Sequence, residues 1–305
     1  MPKDRDTTYF RSHCYHRSNC PNRSKKQFCL FVLLSVLSLN CLALEILLPR
    51  TTQYNDRDSF EIELLDLLLT KIPGQHTVNR TGMTLTQGRV IRELSKEDGL
   101  INLYWMGTSQ TLEQELRAIY FPIYRGLIGY RAFIINKDQS ELFTNIDSIG
   151  ALRNLIGVQG IGWADTELLE ASGLKQLTAP YENIFEMMDK SRAHYFSRSI
   201  LEIEAEIASR RSKMFNIAVD SNVLLTYPFA MYYFTNDANE ELALQLEKAF
   251  EKAYEDGSFI NFFYNHPKTL SALNLLHSTE RQTIRIDNPF FSEKSRLVEA
   301  KYWHR

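Results

Sequence analysis

The stretch FPIYRGLIGYRAFII, residues 121–135, decides the fold. It opens on Phe121-Pro122, and a residue that precedes proline favours extended backbone. The apolar run Ile128–Ile135 that follows predicts a buried strand. Strands and helices alternate on both sides of this stretch. We therefore expect it to lead the chain from one α/β block into a second.

The block before residue 121 alternates strands and helices. Its first helix has Glu61 at the capping-box position, carries leucines at helical spacing and stops at Pro73-Gly74. The predicted elements are a strand at Glu45–Leu48, a helix from Asp58 to Ile72, a helix at Thr86–Ser95 and a strand at Leu100–Trp105.

The block after residue 135 continues the alternation and ends in helices. Glu202 stands at the capping-box position of a helix expected to begin at Ser199. The predicted strands are 155–159, 176–178, 194–196, 215–219 and 224–235, and the predicted helices are 165–171, 182–189, 199–209, 240–255, 258–264 and 268–277. The fold class is therefore α/β, with two open sheets flanked by helices and a ligand expected between the carboxyl ends of their strands.

The N-terminal region has the features of an export signal. Residues 28–39, FCLFVLLSVLSL, are apolar apart from two serines, with basic residues before them and the small-x-small site Cys41-Leu42-Ala43 after them. This pattern predicts a signal peptide over residues 1–43 and a periplasmic protein. The run is shorter than the roughly 20 residues that a membrane-spanning helix needs. An uncleaved anchor is the alternative.

Removal of residues 1–43 leaves 28 basic and 35 acidic residues, so a nucleic-acid partner is not expected. The four cysteines all precede the cut, and the exported chain can therefore form no disulfide. Four ligands of the kind that zinc prefers also lie in the leader, and no metal site is predicted from them: His13, Cys14, His16 and Cys20.

Seven stretches in order carry a resemblance to a known family: SFEIELLDLLL, LINLYWMGTS, FPIYRGLIGYRAFII, LIGVQGIGWADTELLEASG, MMDKSRAHYFSRS, TYPFAMYYFTND and ELALQLEKAFEKAYEDGSF. They cover nearly all of residues 44–265. In this order and spacing the chain resembles the type 2 periplasmic solute-binding proteins of family 3, which include amino-acid receptors of ABC importers.

The resemblance implies two α/β lobes that close around a small solute. It places two hinge crossings near Gly126–Tyr130 and Tyr227–Tyr232. The implied division is a signal peptide over 1–43, a first lobe over 44–125 and 229–305, and a second lobe over 126–228.

The ligand clamp of the family is altered in this chain. Amino-acid receptors carry an arginine about nine residues before a Pro-Tyr pair, where this chain has Glu113, and an aspartate in the second lobe, where this chain has RAHYFSR over 192–198. We therefore expect a small polar or anionic solute, and an α-amino acid is only weakly implied.

Four candidate ligand contacts lie before or at the first crossing. Arg125 stands at the mouth of the hinge, where its guanidinium could hold a carboxylate or phosphate; a salt bridge is the alternative. Trp105 could form a stacking wall or pack in the core. Thr108 matches a polar ligand-contacting position of the family, with a helix cap as the alternative. Tyr54, in the loop after the first strand, matches an aromatic that the family places against the ligand, with a lid over the core as the alternative.

The second block supplies the other candidates. Asp165 and Thr166 open a helix after a glycine-rich turn whose N–H groups favour an anion, although Asp165 fits a helix N-cap better. Trp163 could lie over the cleft. Arg192 and Arg198 bracket a short strand and could offer cations to the solute; local pairing of Arg198 with Glu202 is the alternative.

The sequence thus predicts a non-catalytic receptor for uptake or sensing, with no cofactor and with an inner-membrane permease or sensor as its possible partner. It contains no G-x-S-x-G elbow, H-E-x-x-H helix or P-loop. An enzyme on the same fold, a sensing protein without a transport role and a structural protein without a deep cleft are the alternatives.

Overall fold

The computed structural model describes residues 43–50 and 58–304. The signal peptide before Ala43, the four cysteines and Tyr54 lie outside these residues, so the predictions on them stay predictions. Within the described residues no helix combines the length and apolarity that crossing a bilayer requires.

Strands and helices alternate along most of the chain, as the sequence predicts for an α/β fold. The strands are β1 (Glu45–Leu48), β2 (Thr77–Arg80), β3 (Tyr104–Gly107), β4 (Arg117–Ile119), β5 (Tyr130–Asn136), β6 (Ile156–Gly160), β7 (Lys175–Ala179), β8 (Tyr195–Ser199), β9 (Ile217–Val219), β10 (Val223–Thr226), β11 (Met231–Thr235) and β12 (Gln282–Arg285). The helices are α1 (Ser59–Leu69), α2 (Gln87–Leu94), α3 (Gln110–Glu115), α4 (Ile149–Leu152), α5 (Ala164–Ala171), α6 (Tyr181–Asp189), α7 (Ile203–Ala208), α8 (Glu240–Glu255), α9 (Ser258–Asn265), α10 (Pro267–Ser278) and α11 (Glu293–Arg296).

The larger sheet has seven strands in the order β12-β10-β5-β8-β6-β7, with β9 also paired to β5. β5 runs antiparallel to β8 and β10, whereas β6, β7 and β8 are mutually parallel, as are β10 and β12. The carboxyl ends of the parallel strands therefore lie at the edge where β5 begins. We call this the carboxyl edge.

The smaller sheet has the order β3-β11-β4, and β1 and β2 form a separate parallel pair. One core cluster on this sheet contains Met106, Tyr232 and Phe234 with Leu94 of α2. Trp105 and Tyr233 alternate with these residues and form an edge-to-face pair at 6.2 Å. The alternation of strand side chains thus buries both faces of the smaller sheet.

The C-terminal region contacts both the larger and the smaller sheet. β12 pairs in parallel with β10 of the larger sheet, and Phe291 then joins the core cluster of the smaller sheet. β12 is not predicted from the sequence, and the implied division counts it with residues 229–305 in the first lobe. Its hydrogen bonds to β10 place this strand in the larger sheet.

Several element boundaries differ from the predictions for tertiary reasons. Ser199 ends β8 instead of starting a helix, because it pairs with Arg131 of β5. The predicted strand 224–235 is two strands, β10 and β11, separated by residues 227–230. The strand predicted at 100–105 begins at Tyr104.

Glu61 does not complete a capping box. Asp58 makes no side-chain cap bond, and the Glu61 carboxylate is buried, where it accepts a 2.6 Å hydrogen bond from the Tyr124 hydroxyl and lies 3.5 Å from Lys268 Nζ. Burial raises the pKa of Glu61 above its usual 4.5, against the opposing effects of Lys268 and Tyr124.

We expect Glu61→Gln to remove a part of the pH dependence of stability. Above pH 4.5 the carboxyl of the unfolded chain is ionised while that of the folded chain stays protonated up to its raised pKa, so the free energy of unfolding falls as the pH rises through this window. Urea unfolding from acidic to neutral pH measures this fall, with the exposed Glu97→Gln as control. Parallel profiles for wild type and Glu61→Gln would contradict the assignment.

Candidate functional site

A buried polar cluster lies at the carboxyl edge of the larger sheet. We call it the edge cluster; it consists of Arg131, Gln159, Asp165, Ser197 and Tyr227. Arg131 forms a salt bridge with Asp165, and both side chains are buried. The Ser197 carbonyl accepts from Gln159 Nε2 at 3.2 Å, and the Arg131 guanidinium carbon lies 5.8 Å from the centre of the Tyr227 ring.

The local chain geometry brings these residues together. Arg131 is the second residue of β5 and faces Ser199 at the end of β8. Asp165 lies in the first turn of α5, which follows β6 after a short turn. Gly162 adopts a φ of 77° in that turn, a left-handed conformation that glycine takes without strain. The turn therefore places an acid of α5 against the basic side chain of β5.

Five buried atoms of this region have no hydrogen-bond partner among the described residues. They are Arg131 Nε, Gln159 Oε1, Ser197 Oγ, the Tyr227 hydroxyl and Oγ1 of the neighbouring Thr166. Buried polar atoms in proteins are nearly always paired. Each of these five atoms can take a further hydrogen bond, so the cluster is suited to a polar guest.

The Arg198 guanidinium pairs with two nearby carboxylates. It donates to Glu206 at 2.7 and 2.8 Å and lies 2.8 Å from Glu202, while its carbon lies 4.7 Å from the centre of the Trp163 ring. Burial acts to lower the pKa of Arg198, but the two carboxylates outweigh it and the net pKa is raised. The local pairing with Glu202 is therefore present, and Glu206 joins it.

Other predicted site residues lie apart from the edge cluster. Trp105 is buried and stacks on Tyr104 at 4.8 Å, as a core aromatic does. Thr108 is buried and donates to Glu113 at 2.5 Å; it caps no helix, because the Ser109 side chain accepts from Leu112 N. Arg192 is exposed in a turn.

The structure bears on two predictions at the start of α5. The N-cap of this helix is Trp163, so the N-cap role considered for Asp165 is wrong, and the reason is its salt bridge to Arg131. Trp163 itself packs 6.1 Å from Phe196. Asp165 and Thr166 remain candidate ligand contacts.

Arg125 binds the C-terminal segment, which comprises residues 286–304. Its guanidinium donates to the Trp303 and Lys301 carbonyls at 3.0 and 3.3 Å and to the Tyr264 hydroxyl at 3.1 Å. Its own carbonyl accepts from His304 N at 2.7 Å. The salt bridge that was the alternative role of Arg125 is not formed with any carboxylate of the described residues.

A cavity of about 780 Å³ lies beside the two crossings, and we call it the hinge cavity. Side chains of β10 and β12, residues 227–229 and the C-terminal segment line it. Its basic lining residues are Arg125, Arg285, Arg296 and His304.

Sequence reasoning missed Arg131, Gln159, Ser197 and Tyr227. A signal was present for Arg131, which interrupts the apolar run Ile128–Ile135: a charge in a buried strand requires a partner. Among the basic residues of the hinge cavity, only Arg125 is a candidate from the sequence. Arg285 belongs to β12, and Arg296 and His304 follow it, and the sequence does not predict that strand.

No sequence model of a protein family matches the chain. No curated protein matches it either. Solved structures do match. An ancestral arginine-binding protein bound to arginine has a TM-score of 0.51 at 14% identity, over 72% of this chain and 96% of that protein. An ancestral arginine-binding protein bound to glutamine has a TM-score of 0.52 at 15% identity, over 74% of this chain and 98% of that protein.

A further match is a periplasmic His/Glu/Gln/Arg/opine family-binding protein from Silicibacter pomeroyi in complex with lysine. It has a TM-score of 0.52 at 12% identity, over 72% of this chain and 95% of that protein. At such identities the likeness concerns the fold. The chain has the two-lobed α/β fold of the periplasmic binding proteins, and the fold implied by the resemblance is confirmed.

Proposed function

We propose that this two-lobed chain is a non-catalytic receptor that closes over a small polar or anionic solute. It is exported to the periplasm by the signal peptide over residues 1–43. An inner-membrane permease or sensor reads the closed form. One lobe comprises residues 44–125 with 229–305 apart from β12, and the other comprises 126–228 with β12.

The edge cluster carries this proposal. It lies at the carboxyl edge of the larger sheet, where ligands bind in open α/β sheets. Four of its atoms and the hydroxyl of Thr166 are buried without a partner among the described residues, and they include both donors and acceptors, which a polar solute can satisfy. Since these atoms are buried, the lobes must part before a solute enters.

The solute is not expected to use the amino-acid clamp of the relatives. Glu113 replaces the arginine of that clamp, and residues 192–198 of the second lobe, RAHYFSR, contain no aspartate. The solute is instead held by the hydroxyl, amide and guanidinium groups of the edge cluster. Sugars, polyols and small carboxylates present matching donors and acceptors.

A thermal-shift screen of residues 44–305 tests the receptor function. The library holds amino acids, dicarboxylates, sugars and short peptides. A solute at about 100 times its dissociation constant raises the free energy of unfolding by about 2.7 kcal/mol. We expect a stabilising solute among the polar and anionic compounds. A flat response across all four classes would contradict the proposal.

We expect Ser197→Ala and Thr166→Val to separate binding from stability. Both remove a partnerless buried hydroxyl, so stability without solute stays unchanged or rises by about 1 kcal/mol. The solute found in the screen should bind each variant about tenfold more weakly, measured by calorimetric titration. Ser140→Ala, at an exposed position, is the control. Unchanged affinity in both variants would place the solute elsewhere.

A further inference from the structure

We propose that the hinge cavity is a second ligand site, which binds a small organic anion with an aromatic part. It shares Tyr227 with the edge cluster but no other residue of it, and binding there does not depend on the solute proposed for the edge cluster. Arg285, Arg296 and the rings of Phe229 and Trp303 are its principal contacts.

The charge of the lining selects an anion. Arg125, Arg285 and Arg296 line the cavity, and no aspartate or glutamate of the described residues does. Arg125 is nine-tenths buried and has no carboxylate partner among the described residues. The acid nearest to Arg296 is Asp287 at 3.6 Å, which is 76% exposed and does not line the cavity. Low-dielectric walls strengthen the attraction of such a site for anions.

The floor of the cavity is one face of the larger sheet, formed by alternate side chains of neighbouring strands. Leu224 and Thr226 project from one face of β10, and Thr283 and Arg285 project from the same face of the paired strand β12. Tyr130, opposite Thr226 in β5, extends this floor. Arg285 is exposed and forms no ion pair within the described part of the chain, so its guanidinium is available to a ligand.

The walls favour an aromatic or other apolar group. Phe229, Phe291 and Trp303 line the cavity together with Leu276 of α10. Its volume of about 780 Å³ lies within the range of roughly 300–1,000 Å³ for small-molecule sites. The site therefore accommodates a small molecule that carries both a negative group and an apolar ring.

A close contact fixes the Trp303 wall. Gly126 has a φ of 83°, and a Cβ built on it would lie 2.6 Å from the Trp303 ring. The indole can therefore approach the backbone of the crossing only because residue 126 is glycine. Trp303 belongs to the segment after residue 265, outside the stretches that carry the family resemblance, so this wall is a feature of the chain's own C-terminal region.

Tryptophan fluorescence and calorimetry test the site with defined probes. Phenyl phosphate and benzoate are titrated into residues 44–305, with benzyl alcohol as the neutral analogue and inorganic phosphate as the anion without a ring. We expect saturable binding of the two aromatic anions with a change in Trp303 emission. The change persists in Trp163→Phe and is lost in Trp303→Phe, which distinguishes the hinge cavity from the edge cluster.

Charge variants supply the quantitative test. Arg285→Gln and Arg296→Gln should each weaken aromatic-anion binding by about ten- to a hundredfold, the effect of one hydrogen bond to a charged group. Arg211→Gln, an exposed arginine outside the lining, should leave the affinity unchanged. Equal affinities in all three variants, no saturable binding, or a signal that survives Trp303→Phe would overturn the site. Inorganic phosphate binding as tightly as phenyl phosphate would overturn the aromatic contact.

Discussion

Replacing Asp165 by alanine is expected to lower the free energy of unfolding by about 3–5 kcal/mol, because it leaves the Arg131 guanidinium buried without its counter-charge. Arg131 is 2% exposed, and its other acceptors are the carbonyls of Ile128 and Ser197. Two neutral acceptors do not replace a carboxylate in a buried site. Urea unfolding followed by circular dichroism measures the loss.

Two further variants test whether the unpaired charge of Arg131, and not a loss of packing, lowers the free energy of unfolding. Glu170→Ala removes an exposed acid from the same helix and should change stability by less than about 0.5 kcal/mol. Arg131→Met combined with Asp165→Leu removes both charges and should recover most of the loss, since apolar residues of similar volume often replace a buried ion pair at little cost. A double variant as unstable as Asp165→Ala would show that packing, not the unpaired charge, sets the effect.

The sequence predicts best those elements whose apolar face, read from the residue spacing, is also the face that is buried in the structure. α8 spans Glu240–Glu255 as predicted, because its apolar face packs against α1 and its polar face meets solvent. β5 and β6 follow their apolar runs within two residues. Local pattern is sufficient where one face of an element is buried and nothing competes for its ends.

The elements that sequence misses depend on partners far along the chain. β12 reads Gln-Thr-Ile-Arg, with one apolar residue in four, and exists because β10 offers it a free edge. Glu61 matches a capping box, but the hydroxyl of Tyr124, 63 residues away, takes its carboxylate into the core. Neither partner can be recognised from local spacing.

The sequence predicts the region of the candidate site better than the individual residues that form it. The turn before α5 and the end of β8 do lie together at the carboxyl edge, as the fold requires. Most of the charged side chains there form salt bridges with one another: Asp165 pairs with Arg131, and Arg198 pairs with Glu202 and Glu206. Charge type in a sequence indicates where a polar site lies, whereas the availability of each charge is set by pairing in three dimensions.

Glu113 stands where the family resemblance places a ligand-binding arginine, and it fastens the C-terminal segment instead. Its carboxylate accepts hydrogen bonds from the hydroxyls of Thr108 at 2.5 Å, Tyr120 at 3.0 Å, Ser292 at 2.5 Å and Ser295 at 2.8 Å. Two of these donors precede β5 and two belong to α11 or its cap. The carboxylate therefore joins α3 to the segment that forms the wall of the hinge cavity.

We expect Glu113→Ala to lower the free energy of unfolding by about 3–5 kcal/mol and to free the C-terminal segment. Each hydrogen bond to a charged group contributes roughly 1.5–3 kcal/mol, and bonds that share one acceptor are not additive. Thr108, Ser292 and Ser295 are buried, so their hydroxyls lose an acceptor that water cannot readily replace. Limited proteolysis with mass spectrometry should show new cleavage within residues 286–304, alongside a lower urea midpoint.

The exposed Glu115→Ala, in the same helix, is the matched control and should leave both the midpoint and the cleavage pattern unchanged. Glu113→Gln keeps the shape of the side chain but loses its charge, and should give an intermediate loss. If Glu113→Ala lowered the midpoint without new cleavage in residues 286–304, the network would stabilise α3 alone. Cleavage confined to that segment would instead show that a single carboxylate holds the wall of the hinge cavity in place, because no other acid of the described residues bonds to Ser292 or Ser295.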